Sequence, residues 1–363
     1  MVNSIFNPYD TFRDSFNTEY FVDKTELIFE INKVINSFNK ENFICMSLPE
    51  NFNKSIITNM IIAYYQYSEK ESIIFNNTKL AEIKTQNHDK KEWKKYLSKF
   101  NIIKLNIKKH FLKYNIKEGI EKIKSDIIYE IRNTIKNFKF RDENKLRYIF
   151  EDIYINSNRK IVLIINDWDS VYQYKKDDEF FQEYHKFLES LIINKDCLAL
   201  TFMTGILSIH YYYKDSNLLY VFENFTMFSP KWMAKYIGYN DEEVKMLCEK
   251  YLNKAKNNSS NIPIKRRKLN KEDNERSIYK INNNKIKTKE LIHVKEAKIT
   301  YEKIKSFYYG YRLLDTWSNK KYEIYCPNSI DNALKENSIG IYQKKKDIDL
   351  HGIIQSITSF KIV

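Results

Sequence analysis

The sequence predicts a doubly wound α/β fold followed by a smaller helical subdomain. Three observations carry this. Short, wholly apolar runs alternate with helical patterns over the first two hundred residues. The most apolar run, Ile161–Ile165, has no polar face, as befits a strand covered on both sides. From Pro230 onward, helical spacing replaces the strand-like runs.

A polar lead precedes a predicted helix over Thr25–Asn39, where Leu27, Ile28, Ile31, Val34 and Ile35 fall at helical spacing. Phe43–Leu48 is a short apolar strand, and a second helix starts near Lys54 with Ile56, Ile57, Met60, Ile61 and Tyr64 on its apolar positions. Asn101–Ile107 reads as a strand. Ile116–Phe138 reads as a long helix, with isoleucines at three- and four-residue steps. The strand Ile161–Ile165 ends in Asn166-Asp167-Trp168-Asp169. A helix over Asp178–Ile193 then leads to the strand Leu198–Met203, which ends in Thr204-Gly205. Beyond Pro230, helices are predicted over Lys231–Ile237, Asp241–Leu252 and Lys287–Phe307, before a Gly-Tyr-Arg turn and short segments. These shifts set an expected boundary near residue 229, giving domains of 1–229 and 230–363. No internal repeat is visible.

Composition narrows the function classes. The chain has 363 residues, of which 43 % are hydrophobic and 15 % aromatic, so it has apolar area for a large core and is not of the disordered class. The longest apolar runs fall far short of the roughly 18 residues a membrane span needs, so no membrane is expected. The first twenty residues contain no apolar stretch of the secretory type. Four separated cysteines (Cys45, Cys197, Cys248, Cys326) make no CxxC pair, which suits a reducing compartment and predicts a cytoplasmic or nuclear location. The six histidines are scattered without ligand spacing.

The net charge of +14 is concentrated. Between Asn253 and Lys289 there are 12 Lys or Arg against 3 Asp or Glu, leaving 49 basic and 44 acidic residues elsewhere. That stretch holds a single aromatic, Tyr279, so it lacks the interleaved rings of a base-stacking surface. Residues 253–286 are therefore expected to be a disordered basic insertion in the helical subdomain, separable from the body. Its contact with nucleic acid would be through phosphates alone. Pro263–Leu269 resembles a nuclear import signal, against the plainer reading of a solvated charge run.

Two segments have the residue types of nucleotide chemistry. Leu48-Pro49-Glu50-Asn51-Phe52-Asn53-Lys54-Ser55 lies between a strand and a helix, with Lys54 and Ser55 in the last two positions of a phosphate-binding loop. The glycine expected before the lysine is Asn53, no glycine occurs in the loop, and Glu50 puts a negative charge where an anion would lie. The strand Ile161–Ile165 delivers Asn166 where a metal-binding aspartate is expected, then Asp167 where a longer acid would orient water. Thr204 ends a third strand beside the same crevice, as a sensor hydroxyl does. Taken alone, both segments also fit solvated strand ends. Trp168 reads as a packing residue, with stacking on an adenine as the alternative.

The order of segments resembles the predicted AAA-ATPase-like family. Its Tyr-Tyr-Val-Asp-Lys-Thr opening is matched by Tyr20-Phe21-Val22-Asp23-Lys24-Thr25. Its Arg-Pro-Arg-Arg-Phe-Gly-Lys-Thr/Ser loop is matched at Pro49, Phe52, Lys54 and Ser55. Its Asp-Glu-Tyr-Asp is similar to Asn166-Asp167-Trp168-Asp169, and its Leu-Thr-Gly-Ile-Leu-Arg-Ile to Met203–Ile209, with Ser208 in place of the arginine. Its Phe-Gly-Phe-Thr-Glu-Glu-Glu-Val corresponds to Ile237–Val244. Its Trp-Tyr-Asp-Gly-Tyr corresponds to Phe307–Tyr311, with Tyr309 in place of the aspartate, and its Tyr-Asn-Pro-Trp-Ser resembles Tyr325–Ser329.

The resemblance implies a P-loop α/β sandwich with a helical lid. ATP would be held at Pro49, Asn53, Lys54 and Ser55. Mg²⁺ would be held at Ser55, Asn166 and Asp167, with Asp167 or Asp169 on the metal water and Thr204 sensing the γ-phosphate. Longer members often carry a C-terminal nuclease-like domain; roughly 50 residues follow Arg312 in this sequence, too few for its sheet and helices, so none is expected in it. The altered positions cluster where the chemistry resides. The expectation is therefore weak ATP binding with little or no hydrolysis, a pseudoenzyme. The competing readings are a non-enzymatic scaffold for an unidentified protein partner and a nuclear nucleic-acid-associated protein.

Overall fold

The computed structural model describes residues 8–37, 41–69, 72–83, 92–135, 137–174, 178–193, 195–209, 221–260 and 299–342. By their contacts these fall into two units. One is drawn from Met1–Ile237 and Leu313–Tyr322, the other from Gly238–Arg312 and Glu323–Gln343.

The first unit opens with α1 (Pro8–Phe16) and α2 (Glu26–Val34), followed by β1 (Phe43–Ser47) and α3 (Lys54–Tyr65). After the short α4 (Lys79–Glu82) come β2 (Asn101–Asn106), α5 (Ile107–Phe111), α6 (Ile116–Thr134) and α7 (Leu146–Ser157). Then follow β3 (Ile161–Asn166), α8 (Val171–Tyr174), α9 (Asp178–Ile192), β4 (Leu198–Gly205) and β5 (Glu223–Thr226). The five strands form one sheet in the order β2-β3-β4-β1-β5, and every pairing is parallel. β1, β3 and β4 are buried along their whole length, as strands covered on both faces must be. The architecture is the α/β sandwich expected from the sequence.

Several boundaries differ, each for a local reason. α2 stops at Val34 rather than Asn39, because Asn36 turns left-handed (φ 61°) and its N–H bonds Ala199 O, 3.0 Å away at the start of β4. α6 ends at Thr134, four residues before Phe138, where Ile135 is extended and Asn137 has φ 62°. β4 runs on through Thr204 and Gly205. α1, read as a polar lead, is held by aromatics: Phe12 is fully buried and stacks on Phe75, 5.7 Å between centroids.

The segment Asp23-Lys24-Thr25 ties this part of the unit together. The Lys79 amide donates to Asp23 Oδ2 (2.8 Å) and the Leu80 amide to Thr25 Oγ1 (3.1 Å). Asp23 and Thr25 thus satisfy, from fifty-odd residues away, amides in the first turn of α4 that have no partner within their own helix.

Beyond Ile237 the chain is not purely helical. β6 (Tyr239–Asn240) precedes α10 (Asp241–Ser260). After 299 come α11 (Tyr301–Tyr308), β7 (Tyr311–Asp315), β8 (Lys320–Tyr325) and α12 (Pro327–Glu336), and the strands form a second sheet, β6-β8-β7. Residues 231–236 are a 3₁₀ helix. The basic stretch expected to be disordered from 253 is helical to Ser260. Its remainder, with 263–269 and most of the helix expected over 287–307, lies outside the described residues.

The conformation of Gly238-Tyr239-Asn240-Asp241-Glu242-Glu243 is explained locally. Gly238 takes φ 65°, and Asn240 and Glu243 close a reciprocal capping box on α10, with amide-to-carboxylate distances of 2.9 Å and amide-to-amide-oxygen distances of 2.8 Å. Asp241 accepts from the hydroxyls of Tyr301 and Tyr325 and from Lys305 Nζ.

Asp331 of α12 accepts weakly from Tyr239 Oη (3.2 and 3.3 Å), and burial pushes its carboxyl up to about 6. Such a group stabilises the fold fully below the ordinary carboxylate value, and that contribution is lost as pH rises through about 6. Asp331→Asn is therefore expected to raise stability at pH 7 by roughly 1–3 kcal/mol, the gain vanishing below about pH 4. Urea unfolding at the two pH values checks this, and an Asn variant destabilised equally at both would refute it.

Candidate functional site

Because the sheet is parallel, the C-terminal ends of β1, β3 and β4 open onto one edge. Ser47 lies opposite Gly205, and Ile165 opposite Met203. That register brings the loop after β1, the Asn166–Asp169 segment and Thr204-Gly205 together. All the residues read from the sequence as candidates, from Pro49 to Thr204, therefore belong to this edge.

The loop after β1 keeps the phosphate-loop turn without its glycine. Asn53 sits left-handed at φ 54°, ψ 30° as the N-cap of α3, a conformation asparagine tolerates better than most residues. Leu48 N–H bonds Gly205 O (3.0 Å), and Phe52, 2 % exposed, anchors the loop in the core. Lys54 turns back under the loop, its Nζ donating to Leu48 O (2.6 Å) and Pro49 O (2.9 Å). Burial pushes the Lys54 ammonium below the usual lysine value, and the carboxylates of Asp169, Asp167 and Glu50 pull against that. An ammonium has three donors, two of them engaged here. Ser55, the next residue, has an exposed side chain.

The acidic segment divides its tasks. Asp167 is left-handed (φ 54°) at the strand end and partly exposed. Asp169 is 1 % exposed, and its Oδ2 accepts from the amides of Ile206 (2.7 Å) and Leu207 (2.6 Å). It closes the loop that follows β4. Burial raises its carboxyl, opposed by those two amides and by Lys54. Asn166 lies with its Oδ1 3.4 Å from Thr204 Oγ1, the hydroxyl donating, so the amide turns its NH₂ away from that partner. Trp168 is fully buried with its carbonyl accepting from Tyr184 Oη (2.5 Å). A Cβ on Gly205 would come within 2.5 Å of the Trp168 ring nitrogen, so this glycine is required by close packing.

Three polar contacts here were not foreseen. Lys104, in the middle of β2, keeps part of its surface exposed while its Nζ donates to Asn59 Oδ1 (3.1 Å), one turn beyond Ser55 on α3; burial of the ammonium pushes it below the usual lysine value, and the charge of Asp167 pulls against that. The sequence signal was a lysine interrupting an otherwise apolar run. At the position of the family's arginine, Ser208 Oγ accepts from Asn224 Nδ2 (2.6 Å), while Ser47 Oγ donates to Leu207 O (2.8 Å). A neutral network pins this loop.

The loop suits a phosphate. It offers a left-handed turn into a twelve-residue helix, a lysine with a further donor and an adjacent exposed hydroxyl. The donor set does not suit a divalent cation. Asn166 contributes no charge and Asp169 is engaged by amides, which leaves Asp167 as the one carboxylate of the set. Among the described residues, no group of three or more His, Cys, Asp or Glu could hold a metal.

A parallel sheet whose first strand leads through such a loop into a helix defines a P-loop α/β protein. A family model described as a predicted AAA-ATPase matches residues 9–212, and the chain belongs to that AAA-ATPase-like family. No curated protein sequence matches it. A structure of the ORC2 protein of Aeropyrum pernix, in ADPNP–ADP complexes, is similar at 9 % identity and a TM-score of 0.32. The similarity covers 66 % of this chain and 54 % of that one, so the chain spans about half the other's length. No described helix is long and apolar enough to cross a membrane.

Proposed function

We propose that this chain is a nucleotide-binding member of its family that holds ATP weakly and turns it over little or not at all. The observation that carries the reading is the position of Lys54. It is retained at the end of a phosphate loop, yet its ammonium is held by the carbonyls of Leu48 and Pro49. A phosphate would meet the remaining donor of Lys54, the Ser55 hydroxyl and the amides at the start of α3. Asn53 narrows the approach, because its side chain projects where a glycine leaves room. Asp167 is the remaining acid for orienting water and Thr204 for sensing the γ-phosphate, while Asp169 positions the loop after β4. In the family's chemistry Mg²⁺ neutralises developing phosphate charge; Ser55, Asn166 and Asp167 would be its ligands here, a set short of charge for that purpose.

Calorimetric titration with ATP, with and without Mg²⁺, tests the reading. Weak saturable binding lost in Lys54→Ala, with turnover at background, is the expected result. Brisk hydrolysis unaffected by Lys54→Ala would mean that the site lies elsewhere.

A second reading has its own support. Both Lys54 and Asp169 are used inside the fold, so the edge is stable as a scaffold for a protein partner. Absence of any ATP binding would select it. Binding of nucleic acid through the basic stretch lies outside the described residues, and a salt-dependent gel-shift with RNA or DNA tests it.

A further inference from the structure

We infer that Lys104 stands in for the metal at this edge, so that the chain binds the nucleotide's phosphates without a divalent cation. This rests on the nucleotide reading above and deepens it. Lys104 reaches from β2 to Asn59, whose amide oxygen it meets at 3.1 Å. Asn59 lies one turn beyond Ser55 on the same helix, so the ammonium is anchored on the residue that follows, by one turn, the hydroxyl that would hold a cation. β2 pairs directly with β3, with Lys104 opposite Ile164 and Asn106 opposite Asn166, which places the lysine on the strand neighbouring the acidic segment.

Two changes then act together. The carboxylate expected at position 166 is an amide with its oxygen toward Thr204, so one negative charge is missing. At the same edge the charge of Asp167 acts on two ammonium groups, those of Lys54 and Lys104, and offsets part of the cost of their burial. A divalent cation would enter against both lysines and with one carboxylate to attract it. A polyphosphate would find positive charge already in place, fixed to the protein rather than carried in with the ligand. An ammonium is a point donor suited to phosphate oxygens.

The test is ATP titration of the full chain in Mg²⁺ and in EDTA, for wild type and Lys104→Met. The wild-type Kd is expected to be the same within about twofold in both buffers. Lys104→Met, which keeps the aliphatic stem of an exposed side chain, is expected to weaken binding in EDTA by about tenfold and to regain part of it with Mg²⁺. Lys104→Arg should retain binding in EDTA. Wild-type binding that requires Mg²⁺ would overturn this inference while leaving the nucleotide reading intact, as would Lys104→Met binding normally in EDTA. Absence of binding in either buffer would overturn both.

Discussion

Asp169→Ala is expected to lower the stability of the α/β unit by about 3–5 kcal/mol, whereas Asp169→Asn costs no more than about 1–2 kcal/mol. The carboxylate is 1 % exposed and one of its oxygens receives two backbone amides, Ile206 and Leu207. Removing it takes the acceptor from both half-buried amides and leaves the buried Lys54 ammonium with one fewer carboxylate to offset its burial. Asparagine keeps an oxygen for the amides and removes a charge whose burial is itself unfavourable. Urea unfolding of both variants, with hydrogen exchange at the two amides, measures the difference. Equal losses would show that the charge, rather than the acceptor, holds the loop. The same pair separates positioning from chemistry, because a residue that only closes the loop after β4 leaves ATP binding intact in the Asn variant.

The central strands were legible because strands buried on both faces are written as unbroken apolar runs, and Phe43–Ser47, Ile161–Asn166 and Leu198–Gly205 are such runs. β5 was not, since Glu223–Thr226 is a four-residue edge strand with polar ends. The hairpin of β7 and β8 was missed for a related reason. Its buried positions are confined to Leu313 and Asp315 on one strand and Ile324 and Tyr325 on the other, too few to set a period. At the site, the residue types of Lys54, Asn53 and Asp167 announced a loop and an acidic strand end. The engagement of Asp169 was hidden, because its partners are backbone amides 37 and 38 residues further on, and amides have no sequence signature. Lys104 was hidden by its strand: only the pairing of β2 with β3 sets it opposite Ile164, two residues before the acidic segment begins.

Catalysis is expected to return in a fixed order as three side chains are restored. Asn53→Gly comes first. The backbone there is already left-handed, so glycine relieves strain and opens the loop without changing its path; tighter ATP binding is expected, by about tenfold. Asn166→Asp comes second. It replaces an amide directed at Thr204 with a charge at the end of β3, opposite the helix bearing Ser55, and should convert binding that ignores Mg²⁺ into binding that Mg²⁺ strengthens. Asp167→Glu comes last and raises turnover only in that background, because a positioned water has nothing to attack until the nucleotide and its metal are bound. Lys54→Ala, placed in the triple variant, should erase both binding and turnover. It should also cost stability by about 1–3 kcal/mol, since Leu48 O and Pro49 O lose their shared donor. Phosphate release, measured alongside each titration, reads the sequence of gains. Turnover that rises with Asp167→Glu alone would break the order and place the water elsewhere. A triple variant that still binds nothing would give the decisive role to the negative charge of Glu50 and to the loop arginines replaced here by Leu48, Glu50 and Asn51, leaving the edge as a folded scaffold.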